Sequence, residues 1–286
     1  MEENGGPVRA CDLVRVSAGG REPRGDALAV EEPLEIRVGT ETVSVTMRTP
    51  GNDFELAAGY LATEGLLETP SDIVRLEHCR DVRSPEEEGN VVMVRAAVPA
   101  ARLAEARRLT PTSSSCGICG KASIDAVRTR YAPLPGGEGW DPQLIASLPQ
   151  RLESAQRAFA ATGGLHAAGV FWRDGTLAVA REDIGRHNAV DKVLGRLFLD
   201  GAWPLSAAAL AVSGRASFEI VQKALAAGVP VLAAVSAPSS LAVELARAAG
   251  MLLAGFVRGG AFNLYAGEER LSPGGAARAS SEGSSR

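Results

Sequence analysis

Cys116 and Cys119 are separated by two residues in the segment Ser113-Ser114-Ser115-Cys116-Gly117-Ile118-Cys119-Gly120, and Lys121 follows at once. A helix is predicted over residues 121–130. Thiols just before a helix feel the positive end of its dipole and its unpaired N–H groups, which favour the reactive thiolate. The flanking glycines keep the loop open. Three chemistries fit a CxxC pair. A structural zinc site wants four ligands, and no second CxxC follows, although His78 and Cys79 could complete one. A buried, inert pair suits a Ser/Gly loop poorly. Thiol chemistry, either redox or sulfur carriage, is the third, and the motif does not separate those two. Zinc deaminase chemistry needs H-x-E followed by P-C-x-x-C. Here the CxxC precedes His166, and Ala167 and Ala168 stand where a glutamate would be required.

Four further segments carry polar groups suited to a ligand. Arg181-Glu182-Asp183-Ile184-Gly185-Arg186-His187-Asn188 is dense in charge between a predicted strand and helix. It reads equally as a solvated cap or as a ligand edge, where carboxylates accept hydrogen bonds and arginine holds phosphate. Gly163-Gly164-Leu165-His166 is a glycine-rich entry to a strand, with His166 either a core or a working histidine. Phe256-Val257-Arg258-Gly259-Gly260-Ala261 offers one guanidinium beside backbone amides, a pattern suited to an anion. Ser213-Gly214-Arg215 repeats the theme on a neighbouring loop.

The elements that must position these groups fall into two lobes. Residues 1–10 and 272–286 are expected to be disordered tails. A smaller α+β lobe over 11–132 is predicted to hold strands at 34–38 and 43–47, a helix at 53–61, a strand at 91–94 and a helix at 101–109, and to end in the CxxC loop and its helix. Residues 83–89 read as a charged loop and 133–140 as a linker. The second lobe, 141–271, alternates short apolar strands (168–172, 177–180, 210–212, 230–235, 251–256) with helices (186–198, 218–227, 239–249). That rhythm predicts a parallel sheet covered on both faces, an α/β fold whose ligands sit beyond the carboxyl ends of the strands.

Bulk properties narrow the class. The chain has 286 residues, 45% hydrophobic and 22% charged, with a net charge of −4. No basic balance favours nucleic acid, and 5% aromatic content gives no stacking platform. No apolar run reaches the roughly 20 residues of a membrane helix. No basic segment followed by an apolar run opens the sequence, so a cytoplasmic protein is expected, with its cysteines mostly reduced.

Together these segments resemble the formate dehydrogenase accessory sulfurtransferase (FdhD) family. The resemblance rests on Cys116-Gly117-Ile118-Cys119-Gly120, Gly164-Leu165-His166-Ala167-Ala168, the string from Arg181 through Asp191-Lys192, Val212-Ser213-Gly214-Arg215 and Gly255-Phe256-Val257-Arg258-Gly259-Gly260. It implies a second lobe with a cytidine-deaminase-like three-layer α/β fold lacking the zinc site, so that no metal is bound directly. It implies a sulfur carrier that receives persulfide sulfur from a cysteine desulfurase. The sulfur passes to the bis(molybdopterin guanine dinucleotide) form of the molybdenum cofactor, for a formate dehydrogenase. The resemblance also favours a homodimer. It places the persulfide on Cys116, with Cys119 as partner, and cofactor binding on Phe256, Val257, Arg258, Gly259, Gly260 and Ala261. Ser213, Gly214, Arg215, His166, Asp183 and His187 complete the candidate set. Arg258 and the glycine amides suit the phosphates, and Asp183 or Glu182 suits the guanine edge.

Overall fold

The computed structural model describes residues 6–79, 88–99, 102–103, 132–137 and 139–273. Cys116, Cys119 and nearly all of the helix predicted at 101–109 lie outside the described residues.

The chain opens with a hairpin of β1 (Val8–Ser17) and β2 (Gly20–Ala29), paired from Val8↔Ala29 to Ser17↔Gly20. Residues 8–10, expected to be tail, therefore belong to a strand. Strands β3 (Glu32–Val38), β4 (Glu41–Arg48), β5 (Ile73–His78) and β6 (Val91–Ala96) form a sheet in the order β4-β3-β6-β5. Alternation in β3 sends Leu34, Ile36 and Val38 to one face. There they meet Val92, Val94 and the apolar side of α1 (Asp53–Thr63), whose Leu56, Ala57 and Leu61 are at most 1% exposed.

The larger lobe is a six-stranded sheet in the order β12-β11-β10-β9-β7-β8. Its strands are β7 (His166–Trp172), β8 (Leu177–Asp183), β9 (Ala208–Val212), β10 (Val231–Ala234), β11 (Leu252–Arg258) and β12 (Ala261–Ala266). The sheet is mixed, which corrects the expectation of a parallel one. Only β9, β10 and β11 run parallel, while β7, β8 and β12 are antiparallel to their neighbours. Short turns, Arg173-Asp174-Gly175 and Gly259-Gly260, join the edge strands as hairpins, and a hairpin cannot make a parallel pair. Residues of β9 alternate between two cores. Ala208, Leu210 and Val212 face α4 (Arg186–Leu199), α5 (Phe218–Ala226) and α6 (Ser240–Ala249); Ala209 and Ala211 face α2 (Pro142–Glu153). The fold class is α/β, as expected.

α2 and the short α3 (Arg157–Thr162) were given no element by the sequence reading. Yet α2 has a clear start. Asp141 accepts a hydrogen bond from Gln143 N at 2.9 Å with Pro142 in the first turn, and Ile145, Leu148 and Leu152 form the buried stripe. The segment expected to be a linker is tied down as well: Leu134 N donates to Ala249 O at 2.9 Å, and Trp140 pairs with Leu271.

The lobes are clamped together. α1 crosses α4 with backbone against backbone: a Cβ on Gly59 would lie 1.9 Å from Asp191 O, and one on Gly195 would lie 1.9 Å from Glu55 O. No side chain larger than hydrogen fits at either position. Around the crossing, Lys192 Nζ lies 2.7 Å from Asp183 and donates to Thr49 O at 2.8 Å. Lys223 Nζ lies 3.0 Å from Asp191, which also accepts from Thr63 at 2.9 Å. Arg181 grips Glu55 through both carboxylate oxygens at 2.6 and 2.8 Å.

Candidate functional site

A cleft of about 870 Å³ opens where β9, β10 and β11 end and β7 begins, within the range of small-molecule sites. Because β7 runs antiparallel to β9, its first residue, His166, reaches the same sheet edge as Ser213. Ser213, Val235, Val257, Arg258, Gly259 and Gly260 form one wall of the cleft. The other comes from the end of α2, from α3 and from Gly163, Gly164 and Leu165.

The β11–β12 corner explains the first wall. The ladder slips between Gly255 and Arg258, and within that bulge Phe256 takes φ 52°, the left-handed region that a bulky residue occupies only under strain. Val257 is driven into the core at 0% exposed, while Phe256 stays exposed. The Arg258 guanidinium lies 5.9 Å from the Phe256 ring centroid, at the limit of a cation–π contact. Gly259 and Gly260 follow with φ 59° and 77°, a turn that exposes backbone amides without side chains over them. Phe256 and Ala261 do not line the main cleft. They face a shallow depression beside it, shared with Arg258, Phe262 and Asn263.

His166 sits half-buried in the cleft. Burial, then the charges of Arg186 and Arg215, hold its pKa below the ordinary histidine value, against an opposing pull from Asp183. It is neutral at neutral pH, in a field that favours anions. Gly214 lies beneath it: a Cβ there would be 3.5 Å from His166 Nδ1. Ser213 accepts from Ala167 N at 2.9 Å, which leaves its hydroxyl proton for a ligand. Arg215 is exposed and Arg186 Nε is buried without a partner.

The dense polar string of the second lobe divides differently from the sequence reading. Asp183 is 0% exposed and does not line the cleft. Its oxygens serve Lys192, Thr49 N, Gly185 N and Asn188 Nδ2, so it has no capacity left to read a base. Its place in the candidate set is corrected: it fastens the lobes. Glu182 accepts from Ala158 N at 2.9 Å and Phe159 N at 2.6 Å, capping α3. His187 lies outside the cleft, with Nε2 at 3.2 Å from Ser217 Oγ and 3.8 Å from Glu219. Burial, then Lys223 and Arg186, push its pKa down to about 4.

Of the opposite wall, the sequence reading marked Gly163-Gly164-Leu165 and missed the part built by α2 and α3. Gln150, Glu153, Gln156 and Phe159 all line the cleft. The apolar spacing of Ile145, Leu148 and Leu152 carries the signal, since it puts Gln150 and Glu153 on the face turned from the core. The candidate thiols Cys116 and Cys119 lie outside the described residues.

A family model described as FdhD/NarQ matches residues 29–272. The "Sulfur carrier protein FdhD" of Streptomyces avermitilis is 50% identical over 272 residues, covering 91% of this chain and 94% of that protein. The protein of the same name from Anaeromyxobacter dehalogenans is 54% identical over 258 residues, covering 86% and 88%. The crystal structure assigned as a formate dehydrogenase accessory protein from Desulfotalea psychrophila superposes with a TM-score of 0.75 at 25% identity, covering 93% of this chain and all of that one. With its fold, its sheet-edge cleft and this extent of identity, the chain belongs to the FdhD/NarQ family.

Proposed function

We propose that this chain is a sulfurtransferase that carries sulfur as a persulfide on Cys116. A cysteine desulfurase supplies the sulfur, and the substrate that accepts it is the bis(molybdopterin guanine dinucleotide) molybdenum cofactor destined for formate dehydrogenase. The protein works in the cytoplasm, as a homodimer. The observation that carries the reading is its 50% identity, across nine-tenths of its length, to proteins named sulfur carriers. The Cys116-x-x-Cys119 motif supplies the chemistry. The described helices support a non-spanning protein, since none is long and apolar enough to cross a membrane.

In the loading step the Cys116 thiolate attacks the outer sulfur of the donor's persulfide. The new S–S bond forms as the old one breaks, and the donor leaves as thiolate, so no net oxidation occurs. The cleft then holds the anionic substrate for delivery. Arg258 and the amides of Gly259 and Gly260 would take its phosphates, while Ser213 and neutral His166 offer further hydrogen bonds. Cys119 is the second thiol of the pair.

The test is genetic. A bacterial strain lacking its own family member, and therefore formate dehydrogenase activity, receives this chain or its Cys116→Ala variant. Wild type is expected to restore activity and the variant to leave it absent. Equal restoration by both would remove persulfide carriage from the account and leave only a binding role.

A further inference from the structure

The opening hairpin is supported at one end only. At its base α3 packs on both strands, and a Cβ on Gly164 would lie 3.7 Å from Ala29 Cβ, so this end leans on the cleft wall. The outer half is bare. Every residue from Val14 to Asp26 is exposed, with Val14 at 56% and Val16 at 70%. A two-stranded ribbon is marginal in water unless a further strand or another apolar surface joins it.

The two edges of the ribbon differ. Pairing of Ser17 with Gly20 closes a two-residue turn, so that pair is mutually hydrogen-bonded and the bonding alternates from there. Val8, Ala10, Asp12, Val14 and Val16 therefore aim their backbone groups outward from β1, and their partners, among them Pro23 and Ala27, do so from β2. On β2 that row is blocked: Pro23 has no N–H, and Asp26 Oδ1 accepts the Ala27 N–H at 2.8 Å. On β1 it is open. Its groups pair with no other strand among the described residues, and only the weak Cys11 thiol reaches one of them, the Asp12 carbonyl, at 3.4 Å.

We infer that the β1 edge docks a second copy of this chain, the two β1 strands pairing antiparallel about a twofold axis to form one four-stranded sheet. This rests on the homodimer of the proposed function and names its interface. With one edge open and the other blocked, each molecule admits one partner, so the pairing closes at two copies instead of growing into a fibre. Charge selects the register. The two outward rows meet only if the axis falls at a residue, not between two. Centred on Asp12, it sets Asp12 against Asp12 and Arg9 against Arg15, like charge on like charge. Centred on Cys11, it leaves Val16 beyond the start of the partner strand. Centred on Leu13, it sets Leu13 beside Leu13, Val14 against Asp12, Val16 against Ala10 and Arg15 against Cys11. That register opposes no like charges and covers both bare valines.

The experiment is sedimentation velocity of the full chain over a range of concentrations, with thermal melts to verify folding. Val14→Pro copies onto β1 what Pro23 does opposite it: one outward N–H is removed and the hairpin keeps its own bonds. Val16→Lys leaves the backbone alone and sets a charge against the partner strand. Wild type is expected to dimerise, and each variant to raise the dimer dissociation constant by roughly tenfold or more. Leu13→Cys in a Cys11→Ser protein should crosslink two copies under mild oxidation, well above the Cys11→Ser background, because such a cross-strand pair brings its Cβ atoms within disulfide reach. If wild type dimerises and both variants dimerise as tightly, the β1 edge is overturned while the homodimer stands. A crosslink no stronger than background overturns the Leu13 register. If wild type is monomeric at every concentration, the homodimer falls and this interface with it.

Discussion

Lys192 and Asp183 meet at 2.7 Å with 1% and 0% of their side chains exposed, and both also bond the backbone of Thr49 from the other lobe. A buried charge left without its partner is among the more damaging changes a fold can suffer. Lys192→Met is therefore expected to cost about 3–5 kcal/mol, because Asp183 stays buried and loses its counter-charge. Urea denaturation followed by circular dichroism measures it. The double change Lys192→Met with Asp183→Leu should recover part of the loss. A Lys192→Met protein as stable as wild type would contradict the clamp.

The glycine crossing makes a sharper demand. At Gly59 and Gly195 the added Cβ would overlap a carbonyl oxygen of the facing helix, and backbone cannot swing aside as a side chain can. Gly59→Ala and Gly195→Ala are each expected to lower the melting temperature by many degrees or to prevent soluble expression. Gly201→Ala, where nothing lies within 4 Å but φ is 78°, should show only the milder cost of backbone strain.

His187 gives a pH dependence with a definite sign. Its folded pKa of about 4 lies below the ordinary 6.5. Between those values the unfolded chain takes up a proton that the folded one refuses, so its contribution to stability is full above about 6.5 and is lost as pH falls toward 4. His187→Asn should melt with a flatter dependence over that interval. Asp191, raised to about 6 by burial, is present in both proteins, while Glu219 lies 3.8 Å from His187 and is held lower partly by it, so the comparison reports the His187–Glu219 pair. Parallel melting curves for the two proteins from pH 7 to pH 4 would contradict this.

Arg258 and Cys116 should separate by step. Arg258→Ala removes the one guanidinium lining the cleft among the described residues and leaves the thiol motif intact. It is expected to accept persulfide at the wild-type rate while supporting formate dehydrogenase activity roughly tenfold less well, the scale of a lost charge-assisted contact. Equal activity would remove Arg258 from the delivery step.

Much of this arrangement was legible in the residues, and its failures have physical causes. Strands such as Leu210-Ala211-Val212 and helices such as α4 announce themselves through unbroken apolar runs and 3.6-residue periodicity, and the small-residue loops after β9 and β11 were recognisable as a ligand edge. Sheet direction at the edges was misjudged because β7 and β8, though apolar, are joined by a turn too short for a crossover. Asp183 was misread for a subtler reason. A carboxylate among arginines looks alike in sequence whether it faces a ligand or a buried lysine, and only the approach of Thr49, 134 residues away, decides. Glu153 escaped notice because α2 itself went unread, so nothing marked which of its faces would look into a cleft.

The central claim is that Cys116 bears the travelling sulfur, and intact-protein mass spectrometry after incubation with a cysteine desulfurase and cysteine tests it most directly. The account predicts that wild type and Cys119→Ala each gain the mass of sulfur, removable by a thiol reductant, and that Cys116→Ala gains none. A Cys116→Ala protein that gains as much as wild type, or a wild type that gains nothing, would contradict it.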